Sequence, residues 1–263
     1  MTSHSSAPVA VITGGGSGIG LAVADLLCRR GWSLLLAGRD EKRLAGAARS
    51  LPLGRASRAL LHAADVGDPA QAAGMIERAV REFARLDALV NNAGCAELVP
   101  LERTTRGLIE RSFAVNAIGP ACAVAAAWPV FMRQKEWGGR GCVVNVSSIA
   151  TDDPFPGFFA YASAKGAMNA MARSIAKEGA TVGVRGFCVA PGAVETAMLR
   201  SAFDASVIPP SACLAPADVA RVIVDCIEGR RDADNGATIF LRRSDTAKNG
   251  IIERVQQSCT AGA

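Results

Sequence analysis

Tyrosine occurs once in this chain, histidine twice, and aromatic side chains make up only 5% of its 263 residues. A core with so few rings must be filled by aliphatic side chains and by alanine and glycine, which let helices lie close on a sheet. The two histidines, His4 and His62, stand far apart with no companion ligands, so no metal site is expected. Eight cysteines, at positions 28, 95, 122, 142, 188, 213, 226 and 259, form no Cys-x-x-Cys pair and lie mostly in apolar segments, so they read as reduced, structural thiols. No apolar run reaches the ~18 residues of a membrane span. Residues 1–7 are polar with no apolar stretch behind them and read as a short flexible tail, not a signal peptide. The net charge of +5 is modest, and the doublets Arg29-Arg30, Arg230-Arg231 and Arg242-Arg243 are scattered, which argues against nucleic-acid binding. These absences lead to the expectation of a cytoplasmic chain with neither membrane nor nucleic acid as partner.

Short apolar runs alternate with stretches of helical spacing along the sequence. Val9–Thr13 is a buried-strand run, 19–28 a helix and 34–37 another strand. Residues 59–64, 87–90, 142–147 and 184–190 read as further strands, separated by helices over about 68–84, 105–134 and 159–180. Such alternation predicts a single α/β domain over 8–245 with a doubly wound parallel sheet covered by helices on both faces. Residues 246–263 read as a C-terminal tail. Two stretches break the pattern: 151–157, with two prolines, and 195–214, an irregular segment after Pro191-Gly192 of the kind that forms a flap over a cleft.

The first strand runs into Thr13-Gly-Gly-Gly-Ser-Gly-Ile-Gly20, which opens a helix. Backbone N–H groups and the positive helix end at such a turn can receive a pyrophosphate, with Gly14 making the turn, Gly18 admitting the phosphate and Gly20 letting helix and sheet pack. The single tyrosine, Tyr161, lies one helical turn before Lys165 and thirteen residues after Ser148. An ammonium on the same helix face favours the phenolate, so Lys165 is expected to lower the Tyr161 pKa.

With these motifs, and with Asp65-Val66, Asn91-Asn-Ala-Gly94 and Pro191-Gly192 with Thr196 following in order, the chain resembles the short-chain dehydrogenase/reductase family over roughly residues 8–230. The resemblance implies a Rossmann-like fold and a nicotinamide cofactor. It implies that Gly14, Gly16, Ser17, Gly18, Ile19 and Gly20 line the diphosphate, and that Asp65 and Val66 hold the adenine. Asn92, Ala93 and Gly94 would lie along the cofactor, and Pro191, Gly192, Val194 and Thr196 would border the nicotinamide. The implied catalytic set is Asn116, Ser148, Tyr161 and Lys165: Tyr161 exchanges a proton with the substrate oxygen, Ser148 hydrogen-bonds that oxygen, Lys165 holds the ribose, and Asn116 anchors a water in the relay. Plainer roles stand beside these: Asn116 as a buried amide that satisfies backbone groups, and Asp65 as the cap of the helix that begins near Asp68.

Arg39, directly after Gly38 at the tip of the second strand, favours a 2′-phosphate, hence NADP(H) with NAD(H) as the alternative. Arg39 could instead pair with Asp40 or Glu41. Cys95, Ala96, Phe155, Phe158, Phe159, Met198 and Phe203 suggest an apolar pocket for a small ketone or secondary alcohol. Two features depart from the family pattern. Phe187 stands where relatives commonly carry asparagine, and the end after Leu241 is polar, which puts a tetramer in doubt while a homodimer through the long helices stays expected. A nucleotide-binding sensor or scaffold without turnover is the competing reading, as is an NAD-dependent alcohol dehydrogenase.

Overall fold

The computed structural model describes residues 7–244 and 250–257, so most of the two expected tails, with His4 and Cys259, lies outside the described residues. The strands are β1 (Val9–Thr13), β2 (Ser33–Gly38), β3 (Ala59–Ala63), β4 (Ala88–Asn91), β5 (Gly141–Val146), β6 (Val184–Pro191), β7 (Thr238–Arg243) and β8 (Ile251–Gln256). They form one sheet in the order β3-β2-β1-β4-β5-β6-β7-β8. The chain winds outward from β1 to β3, returns to the other side of β1, and continues from β4. The β1/β4 boundary is therefore the point where a crevice opens at the carboxyl ends of the strands.

The helices are α1 (Gly18–Arg29), α2 (Glu41–Ser50), α3 (Pro69–Phe83), α4 (Arg106–Phe113), α5 (Gly119–Lys135), α6 (Phe159–Gly179), α7 (Ala197–Ala202) and α8 (Pro216–Ile227). Their starts follow from short polar caps. The Asp40 carboxylate accepts from Arg43 N at 2.9 Å, Asp68 from Ala70 N at 2.8 Å, and Thr105 from Leu108 N at 3.3 Å. Asp68, and not Asp65, is thus the cap of α3.

Strand residues of alternate parity feed two cores. Ile12, Val90 and Val144 meet Val23 and Leu27 of α1 and Ile223 and Val224 of α8 on one face. Val11, Leu89 and Val143 meet Met75 and Phe83 of α3 and Ala127 and Phe131 of α5 on the other. Phe83, Phe131 and Phe187 are among the largest fully buried side chains, and truncating a ring of this kind costs about 3–5 kcal/mol. Phe187, the departure noted in β6, fills the α1/α8 core, while its neighbour Cys188 faces α6 and its thiol donates to Asn169 Oδ1 at 3.1 Å.

Four expectations need correction. The segment 195–214 is not wholly irregular, because Thr196 caps the six-residue α7 within it. The tail expected over 246–263 contains β8, which runs antiparallel to β7 with Ile239 opposite Val255, so the sheet is parallel except at this edge. The helix expected over 105–134 is interrupted by a π-helical turn at Ala114–Ile118. This same 30-residue stretch, 106–135, is long and apolar enough to cross a membrane by length and composition, although no single apolar run suggested it. Ala123, Ala127, Val130 and Phe131 of that stretch are buried in the core with α3.

Candidate active site

At the crevice, β1 ends in a turn whose backbone is tied to β4. Thr13 Oγ1 accepts from both Asn92 N and Ala93 N at 2.9 Å, and Asn92 Nδ2 donates to Thr13 O at 2.8 Å. The helix that follows packs so close that a Cβ on Gly20 would lie 2.4 Å from Gly14 O and 2.6 Å from Asn92 Nδ2. Gly18 has φ +53°, and a Cβ there would press on Thr196 Cγ2 at 3.1 Å, so the turn touches the root of the flap. Ser17 stands at the N-cap of α1 without a side-chain capping bond, and the first turn holds no acidic residue. The first N–H groups of a twelve-residue helix are thereby left for an anion, a fit for the pyrophosphate of a dinucleotide.

A cleft of about 540 Å³ runs from this turn to the flap. Gly14, Ser17, Gly18 and Ile19 line one end with Arg39, Asp65 and Val66. Asn92, Ala93 and Gly94 line its floor, and Ser148, Tyr161, Lys165, Pro191, Gly192, Val194 and Thr196 the other end. Gly16, Gly20 and Asn116 are not on its wall: Gly20 and Asn116 are buried beneath it, and Gly16 turns toward Arg43.

Ser148, two residues past the end of β5, and Tyr161 on α6 stand together on the cleft wall, and Ser148 favours the charged form of the phenol. Its neighbour Ser147 turns inward and donates to Lys165 O at 3.1 Å, which separates the two adjacent serines. Lys165 is buried, and its Nζ donates to Val146 O at 2.7 Å while lying 5.9 Å from the centre of the Tyr161 ring. Asn116 sits inside the π turn, a local widening of the helix often found at functional sites. Its Nδ2 donates to Cys95 O at 2.9 Å and Ser112 O at 3.0 Å, so the amide satisfies backbone groups. Gly94 separates Asn116 from Lys165: a Cβ there would meet Asn116 Oδ1 at 2.9 Å and Lys165 Nζ at 3.3 Å.

The electrostatics differ from the expectation that Lys165 depresses Tyr161. Burial pushes the Tyr161 phenol above its ordinary value, with Ser148 acting the other way. Burial also pulls Lys165 down to about 8. The reason is geometric: the ammonium points at a backbone carbonyl and not at the phenol oxygen, and both groups have lost water.

Two residues were given no role by the sequence. Thr13 opens the glycine motif, but its hydroxyl is also the knot between turn and β4. Arg43 is the other: the first turn of α2 brings it beside the glycine turn, so that a Cβ on Gly16 would lie 3.2 Å from Arg43 Cγ, and it lines the cleft beside Arg39. A basic residue in the first turn after the strand tip is the only signal that could have found it. Arg39 is exposed, and among the described residues no ion pair joins it to Asp40 or Glu41.

At the other end, the flap leaves the sheet after Val194 and returns at Leu214. The two residues bridge, Glu195 N donates to Leu214 O at 3.0 Å, and Leu214 N donates to Ala193 O at 2.8 Å. Phe155, Phe158, Met198 and Phe203 line the cleft; Phe159, expected with them, opens α6 outside it and is 49% exposed.

Comparison with known proteins gives the class to which this crevice belongs. The profile of the short chain dehydrogenases matches residues 8–206, and the chain belongs to that family. It is 37% identical over 201 residues to a putative ketoacyl reductase 2 of the granaticin polyketide synthase from Streptomyces violaceoruber, covering 74% of this chain and 76% of that one. It is 32% identical over 197 residues to a cyclopentanol dehydrogenase from Comamonas, covering 75% and 77%. The 3-ketoacyl-(acyl-carrier-protein) reductase of Brucella melitensis, solved with NADH, superposes with a TM-score of 0.81 at 27% identity over 89% of this chain and 96% of that one. The protein is therefore an NAD(P)-dependent oxidoreductase that interconverts CH–OH and C=O groups of small molecules.

Proposed function

We propose that this chain is an NADP(H)-preferring oxidoreductase of small, moderately hydrophobic ketones and secondary alcohols, with Tyr161 as its general acid and base. The observation that carries the reading is the placing of Ser148 and Tyr161 together, beside a buried Lys165, in the same cleft as the uncapped N-terminus of α1. Bound cofactor supplies the hydride at nicotinamide C4. Ser148 orients the substrate oxygen, and Tyr161 gives it a proton as the carbonyl is reduced. A raised phenol pKa keeps that proton on Tyr161 at neutral pH, which suits reduction. Lys165 holds the ribose hydroxyls, and Asn116 holds Cys95 and the turn around Gly94 in position.

NADP(H) preference is supported by Arg39 and Arg43, both on the cleft wall at the adenosine end, while the nearby Asp40 caps α2 and lies 3.9 Å from Arg43 Nε. Two guanidinium groups suit a 2′-phosphate, whereas a free ribose needs an acceptor. The homo-oligomer belongs to the same proposal, with a dimer through the long helices as its expected form.

The test is consumption of NADPH and NADH by the purified protein against ketones, aldehydes, quinones and 3-oxoacyl thioesters. Turnover with NADPH that is lost in Tyr161→Phe supports the proposal. Equal activity in that variant would defeat the role of Tyr161, and nucleotide binding without turnover on any of these compounds would favour the sensor reading.

A further inference from the structure

The substrate end of the cleft has a composition of its own. Of the charged side chains on the cleft wall, Arg39, Arg43 and Asp65 lie at the adenosine end, and Lys165 is buried under Tyr161. The flap's own cation is spent inside the flap: Arg200 Nε donates to Glu195 Oε1 at 2.8 Å and Nη1 to Ile208 O at 2.8 Å. The two carboxylates beside the Phe155 loop pair away from it, Asp152 with Arg254 at 2.5 Å and Asp153 with Arg242 at 3.4 Å. A charged group in this half of the cleft would therefore lose water and gain no counter-charge, a large penalty.

What faces the cleft instead is a set of rings. Phe203 on the flap lies 5.6 Å from Phe155 and 5.9 Å from Phe158, the latter edge-on at 88°. Phe158 in turn lies 5.1 Å from Tyr161. Phe155 is 52% exposed and Met198 42% exposed although both belong to the cleft wall, so large apolar faces are offered to whatever enters. Because the flap is pinned at Val194 and Leu214, Phe203 is carried on a segment whose two ends are fixed.

We propose that the substrate is an uncharged ketone, or the matching secondary alcohol, whose carbonyl is attached to a flat ring that packs against the cluster of Phe155, Phe158 and Phe203. This rests on the oxidoreductase reading above. In the reducing direction the carbonyl carbon takes a hydride from NADPH, the carbonyl oxygen takes the Tyr161 proton, and NADP⁺ and the secondary alcohol leave; solvent returns the proton to Tyr161. Offset and edge-on contacts reward a ring beyond its buried area, and the empty charge balance rejects an ion.

Three ketones with one reacting group separate these properties: acetophenone, its 4-carboxylate, and 2-octanone, which has the carbon count of acetophenone but no ring. With NADPH, acetophenone should exceed each of the others in kcat/KM by about tenfold or more, which is the scale of one lost contact or one unpaired charge. Phe203→Ala should lower kcat/KM for acetophenone about fivefold more than for 2-octanone, and Phe203→Leu should give the same order should the alanine variant fail to fold. If the carboxylate, 2-octanone or a 3-oxoacyl thioester is turned over as well as acetophenone, the substrate class is wrong while the oxidoreductase reading stands. If NADPH binds and none of these compounds is reduced, both fall.

Discussion

The two ends of the cleft are built by different means. At the adenosine end the contacts are backbone and fixed charge: the first turn of α1, the Thr13–Asn92 knot, and Arg39 with Arg43. At the substrate end they are side-chain surfaces carried on loops, with Phe155, Met198 and Phe203 around the Ser148–Tyr161 pair. A backbone site tolerates little change, because close approach leaves no room for an extra atom. A wall of rings on loops can change its shape while the scaffold stays. One fold can thus keep its cofactor and vary its substrate.

The sharpest way to break this contrast is to remove the phenol oxygen where the two ends meet. Tyr161→Phe should lower turnover ~10²–10⁴-fold with little change in NADPH affinity, read by steady-state kinetics beside fluorescence titration. A parallel loss of affinity would mean that Tyr161 belongs to the cofactor end.

Next in size is a stability effect. Lys165 titrates at about 8 in the fold against an ordinary 10.5. Between these values the unfolded chain keeps a proton that the folded chain has released, so stability rises with pH through that window; below pH 8 the full cost of the buried cation is carried. Wild type should therefore gain on Lys165→Met by on the order of 2–3 kcal/mol between pH 8 and 10.5. Urea unfolding of both proteins across that range measures it, and a constant difference would show that Lys165 is hydrated in solution.

Gly20→Ala tests the rigid end. Its Cβ would lie 2.4 Å from Gly14 O, a backbone atom held in the turn. The cost should be about 1–3 kcal/mol in stability, together with weakened nucleotide binding. An unchanged melting temperature and affinity would show that the turn is pliant. The smallest effect is expected for Arg39→Ala, which should lower kcat/KM with NADPH about tenfold and leave NADH within about twofold, since Arg43 remains to meet part of the phosphate charge. Equal losses with both nucleotides would remove Arg39 from phosphate recognition.

The rigid end was the more legible of the two in the amino-acid sequence. Glycine at 14, 18 and 20 after an apolar strand specifies a turn on its own, because no other residue suits those backbone approaches. The role of the Thr13 hydroxyl and the part played by Arg43 escaped notice, because only the packing of β1 on β4 and of α2 on the turn gives each its task. β8 escaped for a different reason: Ile251–Gln256 shows weak alternation, so the Asn249-Gly250 turn signal just before it was not joined to a second strand. The π turn around Asn116 was not legible because ordinary helix flanks Ala114–Ile118 on both sides and the stretch reads as one continuous helix.

By itself, the order of motifs determined the alternating α/β fold and the glycine turn, and singled out Ser148, Tyr161 and Lys165 as candidates, because each depends on residue type at short range. The tertiary structure decided where the Lys165 ammonium points, how burial shifts it and Tyr161, and which rings face the cleft. Those depend on what surrounds a side chain after folding, and desolvation and long-range contact have no counterpart in the order of residues along the chain.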